Sequence, residues 1–232
     1  MKTVVISGGT SGIGKRLVKL FLNENMKVIT FSSKKKNIIS FNNEFKEFKD
    51  NLFCYQCNIG DPKDVKKIST IISRRSKKID FLINNSGTNV LGPIGKIKVK
   101  DWKKIIDVNL TGPFLLTQNL LKLFKKNSVI LNMGSIASRQ GFPNWSSYCA
   151  SKFGLKGFTE SLREELRSKG IRVVHAEIGA TDTGLWDNLE GDWNKESMMK
   201  DSDVAKFILK NIIDSNSVNV DEIFLMPPGG IL

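Results

Sequence analysis

The stretch Thr3-Val-Val-Ile-Ser-Gly-Gly-Thr-Ser-Gly-Ile-Gly14 decides the fold. A β-branched apolar run, typical of a buried strand, leads directly into a glycine-rich turn, and an amphipathic helical pattern follows. Glycines in a strand-to-helix turn let the backbone approach a phosphate closely, and the amides at the start of the helix would meet its charge. The position of the turn therefore predicts a dinucleotide-binding α/β domain, although its spacing differs from the common fingerprint.

The rest of the chain repeats this alternation of strand and helix. Strands are predicted at 3–7, 27–31, 51–57, 79–84, 128–133, 171–177 and 222–226. Helices are predicted at 12–24, 62–74, 101–125, 147–169 and 203–214, with a weaker one at 42–49. The pattern predicts one Rossmann-type domain over residues 1–232, a doubly wound, parallel, seven-stranded sheet with helices on both faces. Residues 1–130 would mainly bind cofactor, and residues 131–232 would carry catalytic groups and a substrate lid.

The net charge of +13 is concentrated in residues 1–150, which hold 26 basic and 9 acidic residues. Such an excess can indicate a nucleic-acid or membrane surface. No nucleic-acid motif accompanies the lysines, and no apolar run reaches the roughly 18 residues of a membrane span. Scattered lysines on solvated helix faces are the favoured interpretation, so neither partner is expected and the expected location is cytoplasmic.

The three cysteines predict no disulfide framework. Cys54 and Cys57 have the spacing of a redox or zinc pair, but they fall in a predicted strand. The chain has only one histidine and no second cysteine pair to complete a zinc site. No metal site is predicted.

The end of the second predicted strand indicates the cofactor. An NAD-selective site commonly places a carboxylate there to hold the ribose hydroxyls. This sequence instead has Ser32 and Ser33, followed by Lys34, Lys35 and Lys36. Hydroxyl and ammonium groups can bind a 2′-phosphate, which a carboxylate would repel, so NADP(H) is the preferred cofactor and NAD(H) remains possible.

Ser135, Tyr148 and Lys152 form the candidate catalytic set. Lys152 lies one helical turn after Tyr148, on the same face. An ammonium nearby favours the phenolate and helps a tyrosine exchange protons near neutral pH. Ser135, just past the fifth strand, could donate a hydrogen bond to a substrate oxygen as charge develops on it. This combination predicts interconversion of a carbonyl and an alcohol by hydride transfer.

Taken together, these motifs resemble the short-chain dehydrogenase/reductase family, in its compact single-domain branch. The resemblance spans essentially the whole chain and includes Asn84-Asn85-Ser86-Gly87, Asn109 and residues 178–183. It implies that Asn109 is a fourth catalytic residue, holding a water that links Lys152 to solvent. It implies the following cofactor-binding residues: Gly8, Thr10, Ser11, Gly12, Ile13, Gly14, Ser32, Ser33, Lys34, Asn58, Ile59, Asn85, Ser86, Gly87, Tyr148, Lys152, Gly179, Thr181 and Thr183.

The sequence departs from the family pattern at four positions. Ser7 replaces a usual Thr, Asn58 an Asp, Ser86 an Ala, and Ile178 the Pro before Gly179. The first three changes preserve plausible geometry. The loss of proline predicts a less rigid loop after strand six.

Residues 184–200 are predicted to cover the substrate. They contain Trp186, Trp193, Met198 and Met199, which suit an apolar or aromatic substrate or simply pack the loop onto the domain. Phe142, Asn144 and Trp145 are candidates for another wall, and the predicted substrate residues are Phe142, Trp145 and Trp186. A generic carbonyl reductase is favoured over a fatty-acid-synthesis reductase because the C-terminal tail differs from theirs.

Two further interpretations stay open. The family commonly pairs helices across a two-fold axis, and Phe114, Leu115, Leu120, Leu121, Leu123 and Phe124 exceed what one buried stripe requires, which predicts a homodimer or homotetramer. The alternative function is a catalytically idle dinucleotide-binding regulator, with or without an associated RNA. Such a protein would not need all four candidate catalytic residues.

Overall fold

Seven parallel strands form one sheet, and helices cover both of its faces. The computed structural model describes residues 1–189, 191, 193–213 and 218–231. The sheet contains β1 (Thr3–Ser7), β2 (Lys27–Ser32), β3 (Leu52–Gln56), β4 (Ile79–Asn84), β5 (Phe124–Met133), β6 (Arg172–Ile178) and β9 (Glu222–Leu225). Their order across the sheet is β3-β2-β1-β4-β5-β6-β9, which confirms the predicted doubly wound Rossmann-type fold.

The central strands are buried on both sides, which explains their nearly continuous apolar runs. Val4, Val5 and Ile6 of β1 are fully buried, and they face alternately into two cores. The helices that cover the sheet are α1 (Gly12–Asn23), α2 (Lys35–Glu44), α3 (Pro62–Arg75), α4 (Val99–Ile106), α5 (Gly112–Leu120), α6 (Ser146–Arg167) and α7 (Asp201–Ile213). On one face α1 packs beside α7, and on the other α3 packs beside α5.

The predicted helix over residues 101–125 begins and ends two residues earlier than predicted and is not a continuous α-helix. The structure has α4, a π-helical turn at Asp107–Thr111, α5, and a 3-10 turn that ends at Leu123. Strand β5 then begins at Phe124, four residues before the predicted start. The apolar run around residue 124 fits both a helix and a strand, and pairing of Phe124 with Ile79 decides for the strand.

The weaker helix was also misplaced. It was predicted at 42–49, whereas α2 spans Lys35–Glu44 and a 3-10 turn follows at Lys46–Phe48. Within α2 only Phe41 is buried, so the helix has almost no apolar stripe to reveal its bounds.

Sheet order reverses between β1 and β4, where their crossover connections leave in opposite directions. In such sheets ligands bind in the crevice beyond the carboxyl ends of the strands at this point. The loop after β6 adds a small parallel pair beside that edge, β7 (Thr181–Asp182) with β8 (Met199–Lys200). None of the described helices is long and apolar enough to cross a membrane.

Candidate active site

A cavity of about 1140 Å³ opens at the carboxyl edge of the sheet. Most of the predicted cofactor and substrate residues line it, from the glycine-rich turn to the segments after β5 and β6. Several of the residues predicted for the site do not, among them Lys35, Lys36, Met198 and Met199. Gly14 and Asn109 lie behind the wall, and Asn144 contributes its main-chain carbonyl to Gly92 N at 2.9 Å. The cavity is long enough to contact both the end of β2 and the start of α6.

The glycine-rich turn forms a cradle that side chains would fill. Gly8 and Gly12 adopt φ of +68° and +50°, which favour glycine. A Cβ on Gly14 would lie 2.4 Å from the carbonyl oxygen of Gly8, so the first turn of α1 packs directly on the loop. The Ser11 side chain does not cap α1, and no acidic residue occupies its first turn. The start of α1 therefore suits the phosphates of a dinucleotide.

Ser7 and Asn85 hold this cradle against the end of β4. The Ser7 hydroxyl accepts hydrogen bonds from the backbone N–H of Asn85 at 3.0 Å and of Ser86 at 2.9 Å. In return, the Asn85 amide donates to the carbonyls of Ser7 and Gly8, both at 3.1 Å. Serine thus supplies the hydroxyl that the usual threonine would supply at this position.

The end of β2 offers hydroxyl and ammonium groups to the cavity. Ser32, Ser33 and Lys34 line it, whereas Lys35 and Lys36 enter α2 and do not. Asn37, one turn along α2, lines it instead. No carboxylate is found among the described lining residues. Across the cavity, Asn58 Oδ1 accepts a hydrogen bond from Gly60 N at 3.1 Å, so its side chain fixes the turn after β3.

Ser135, Tyr148 and Lys152 converge on the same end of the cavity. The Lys152 Nζ lies 5.5 Å from the centroid of the Tyr148 ring and donates a 2.6 Å hydrogen bond to the Met133 carbonyl. All three side chains are more than nine-tenths buried. Strand β5 delivers Ser135 two residues after Met133, and α6 delivers the other two from one face. The predicted triad is therefore assembled.

Burial sets the acid–base properties of these groups. It raises the pKa of the Tyr148 phenol to about 12, although a hydrogen bond with Ser135 opposes the rise. It lowers the pKa of the Lys152 ammonium to about 8. At neutral pH the phenol therefore carries its proton and the lysine is mostly charged. This state suits a phenol that donates a proton while an adjacent cation stabilises the phenolate left behind.

Asn109 lies in the π-helical turn, fully buried behind Tyr148 and Lys152. Its amide donates to the Thr88 carbonyl and to Ser151 Oγ, both at 3.0 Å, and its Oδ1 accepts from Thr88 N at 2.8 Å. Both amide hydrogens are thus used. The predicted water could not be a hydrogen-bond acceptor for this side chain, which instead fixes the segment after β4 to α6.

The irregularity of this helix follows from Pro113. Proline has no N–H to donate to the carbonyl four residues earlier, which is that of Asn109. The residue before it, Gly112, donates its N–H to the Asp107 carbonyl, which is five residues earlier in the chain. A Cβ on Gly112 would lie 2.8 Å from the Ile59 carbonyl oxygen. Gly and Pro therefore produce the π turn and seat it against the cavity wall.

The loop after β6 is held without the missing proline. Gly179 N donates to the Leu225 carbonyl at 2.8 Å, and β7 pairs with β8. These contacts tie the loop to the sheet, and the lower rigidity expected from the loss of proline stays a prediction. Thr181 and Thr183 line the cavity as predicted, and a Cβ on Gly12 would lie 3.2 Å from Thr183 Cγ2.

An aromatic wall, consisting of Phe142, Trp145, Trp186 and Trp193, adjoins Tyr148. The Trp145 ring is its hub, with centroids 5.6 Å from Tyr148, 5.9 Å from Phe142, 6.1 Å from Trp186 and 6.3 Å from Trp193. Of the predicted lid residues, the two tryptophans line the cavity. Met198 is buried and Met199 packs on the core, so neither methionine lines it. Glu190 and Asp192 of the predicted lid lie outside the described residues.

Two polar features are among those that sequence reasoning missed. One is Asn89, which lines the cavity although nothing in its local sequence marks it. The other is a buried polar row in which Asn84 Nδ2 donates to Asn132 Oδ1 at 2.7 Å and Asn132 Nδ2 to Thr159 Oγ1 at 2.9 Å. The row continues to His175, 3.4 Å from Thr159. Single polar residues in otherwise apolar strands were the available signal.

The cysteine pair has no chemistry visible in the structure. Burial raises the pKa of both Cys54 and Cys57 to about 12, so both are thiols at neutral pH. A thiol is a poor metal ligand and a poor nucleophile. In the described part of the chain, no group of three or more His, Cys, Asp or Glu side chains could hold a metal ion.

Comparison with known proteins identifies the family. The family model for short chain dehydrogenase matches residues 2–193. The chain is 31% identical to a 3-oxoacyl-[acyl-carrier-protein] reductase of Thermotoga maritima, over 81% of this chain and 77% of that protein. It is also 31% identical to a sepiapterin reductase of Chlorobaculum tepidum, over 75% of this chain and 71% of that one.

Among solved structures, ElxO with NADP bound superposes with a TM-score of 0.85 at 25% identity, covering 96% of each chain. The family match covers most of the sequence, and the solved structure shares the fold that carries the assembled triad. The chain therefore belongs to the short-chain dehydrogenase/reductase family of oxidoreductases.

Proposed function

We propose that this protein reduces a carbonyl compound to an alcohol with NADPH, with Tyr148 as the proton donor. The observation that carries the proposal is the convergence of Ser135, Tyr148 and Lys152 on one end of a cavity whose other end is a glycine cradle. A bound NADPH would supply the hydride. The chain's own residues must then position the carbonyl and provide one proton, so that hydride and proton together complete the alcohol.

Proton donation is assigned to Tyr148 because its environment keeps the phenol protonated. Ser135 would donate a hydrogen bond to the carbonyl oxygen, and Tyr148 would transfer its proton there as negative charge develops. An alkoxide is far more basic than a phenolate, so this transfer is favourable even with the raised pKa of the phenol. Oxidation would require the phenolate first, so at neutral pH the free site favours reduction.

Lys152 and the π turn would return a proton from solvent to the Tyr148 phenolate. Lys152 has three N–H donors and one is used by the Met133 carbonyl, which leaves two for the cofactor ribose and a water. Because Pro113 cannot donate to the Asn109 carbonyl, that carbonyl is the group suited to hold the water on the path to solvent. Asn109 thus acts through its main chain, while its side chain positions the turn.

Preference for NADPH over NADH rests on the end of β2. Ser32, Ser33 and Lys34 line the cavity with no carboxylate among the described residues there. The NADP bound to the similar ElxO structure supports the same cofactor here. Use of NADH at lower affinity is compatible with this site.

A cytoplasmic location and a homodimer or homotetramer complete the proposal. The first rests on three unpaired cysteines and the second on exposed apolar side chains.

A panel of aldehydes and ketones, assayed by loss of NADPH absorbance, tests the function. We expect turnover with at least one aromatic ketone or aldehyde, and more slowly with NADH. Binding of NADPH without turnover of any member of a panel that includes aliphatic, aryl and diketone compounds would contradict the proposal. That result would favour a regulatory dinucleotide-binding protein.

A further inference from the structure

Asn89 is a cavity-lining residue whose side-chain hydrogen-bonding capacity is not used by the described residues. Both its Oδ1 and its Nδ2 are buried, and neither has a hydrogen-bond partner in the described part of the chain. Leaving a buried amide unpaired costs about 1–3 kcal/mol for each group, so such an amide commonly has a partner supplied from outside. Because Asn89 lines the cavity, a bound molecule can supply it.

The neighbours of Asn89 are firmly held, which makes its position a fixed one. The preceding residue, Thr88, is bonded through both main-chain groups to the Asn109 side chain. The following residue, Val90, accepts a hydrogen bond from Ser147 Oγ at 3.4 Å. Ser147 directly precedes Tyr148 on α6. Asn89 therefore lies between two anchored residues, one of which is bonded to the helix that carries the proposed proton donor.

The aromatic wall gives the cavity near Tyr148 a flat, apolar surface. Trp145 contacts Tyr148 and also contacts the other three rings of the wall, among which Trp186 and Trp193 lie 4.8 Å apart between centroids. Flat rings bury large apolar areas and prefer flat partners in stacked or edge-on contact. The Trp193 Nε1–H is also buried without a partner among the described residues, whereas Trp186 Nε1 donates to the Thr181 carbonyl at 2.8 Å. The wall therefore offers stacking and one free donor.

Charge is scarce around the cavity. Among its described lining residues only Lys34, Lys104 and Lys152 are charged. Lys34 follows β2, Lys104 belongs to α4, and Lys152 is bonded to the Met133 carbonyl. The two undescribed residues of the neighbouring loop, Glu190 and Asp192, are acidic in sequence and could not neutralise an anion. A negatively charged substrate group has no dedicated partner at this end.

We infer that the substrate is a neutral, flat ring compound with an amide-like edge, of the lactam type, whose ketone lies near Tyr148. The lactam N–H would donate to Asn89 Oδ1, and its carbonyl would accept from Asn89 Nδ2 while the ring stacks on the aromatic wall. This inference rests on the proposed function for the reaction, but the binding it describes does not need turnover. Asn89 is thus the specificity residue of the site.

Calorimetric binding of oxindole tests this directly, because oxindole is a flat lactam with no ketone to reduce. We expect oxindole to bind about tenfold more tightly than N-methyloxindole, which lacks the donor. Asn89→Leu should remove that ratio, and Asn42→Leu, the same change at an exposed site on α2, should preserve it. Equal affinities of the wild-type protein for the two compounds would overturn the inference whether or not the variants fold.

A sulfonate on the ring separates a neutral site from an anionic one. Oxindole-5-sulfonate should bind more weakly than oxindole, and tighter binding would overturn the neutral-substrate inference. Isatin, the corresponding ketone, then tests the reaction with NADPH. Discrimination between the oxindoles without reduction of isatin or of aliphatic ketones would retain the binding site and reject the proposed function. Reduction of aliphatic ketones with equal oxindole affinities would do the reverse.

Discussion

Lys152 donates a 2.6 Å hydrogen bond to the carbonyl of Met133, the last residue of β5. The bond ties α6 to the strand that leads to Ser135, which helps to fix Ser135, Tyr148 and Lys152 relative to one another. It also holds the ammonium 5.5 Å from the centre of the Tyr148 ring. A cation at that position would stabilise the negative charge of a phenolate.

The charge of Lys152 should appear in the pH profile of carbonyl reduction. Burial lowers its pKa to about 8, so kcat/KM should fall as pH rises through that value and the ammonium is lost. Tyr148, with a pKa of about 12, keeps its proton over the same range. With NADPH saturating, a profile that stays level to about pH 10 would contradict this assignment. Lys152→Arg, which stays charged, should be slower but lack the decline.

Cofactor preference should reverse when a carboxylate is placed at the end of β2. Wild-type protein should bind NADPH about tenfold more tightly than NADH, since one charge-assisted hydrogen bond contributes about 1.5–3 kcal/mol before screening. Ser32→Asp should invert the ratio by repelling the phosphate and holding the ribose. Lys34→Gln should weaken only NADPH, and Lys36→Gln should change neither because Lys36 does not line the cavity. Equal wild-type dissociation constants at low salt would show the preference to be wrong.

His175 should make the protein less stable in mild acid. Burial lowers its pKa from 6.5 to about 4, although the carboxylate of Glu177 opposes this. Between pH 6.5 and pH 4, His175 is therefore protonated in the unfolded chain but neutral in the folded protein. The free energy of unfolding thus falls as pH falls toward 4. The loss between about pH 7 and pH 5 should be of the order of 2 kcal/mol.

Urea unfolding across that range measures the effect. His175 is the only histidine in the chain, so His175→Gln should remove most of the slope between these pH values. An identical slope in the variant would mean that other groups cause it.

Exposed aromatic side chains on α5 and α6 should form a subunit interface. Phe114 is 41% exposed and Phe153 is 46% exposed, and Phe114 contacts Phe158 edge-on. The six residues first suspected were partly misjudged, because Leu120 and Phe124 belong to the core. In light scattering, wild-type protein should exceed its monomer mass of 26.0 kDa. Phe153→Glu should shift it toward the monomer, and Ile39→Glu on α2 should not. A wild-type monomer at micromolar concentration would exclude this interface.

The sequence was sufficient where local patterns determine the structure. The glycine turn between Ser7 and α1 needs only its neighbours to form, and Tyr148 and Lys152 share a face by helical periodicity alone. These local features bring the candidate catalytic residues to one crevice because parallel strands all end at the same edge of the sheet.

Long-range contacts account for what the sequence could not reveal. Asn89 is a lone polar residue in a loop, and its position depends on Asn109 and Ser147, which lie 20 and 58 residues further along the chain. Within the predicted lid, Trp193 and Met198 are both large apolar residues in an otherwise polar loop, so the sequence does not distinguish their roles. Packing alone turns Trp193 toward the cavity and Met198 into the domain.

Hydride transfer in a Tyr148→Phe variant tests the central claim most directly. The variant keeps the ring and its contact with Trp145 but removes the exchangeable proton. In a single turnover with NADPH and isatin, followed by nicotinamide absorbance, the rate should fall by about 100- to 10,000-fold, while the dissociation constant for NADPH stays near that of the wild type. A variant that keeps a tenth or more of the wild-type rate would show that Tyr148 is not the proton donor.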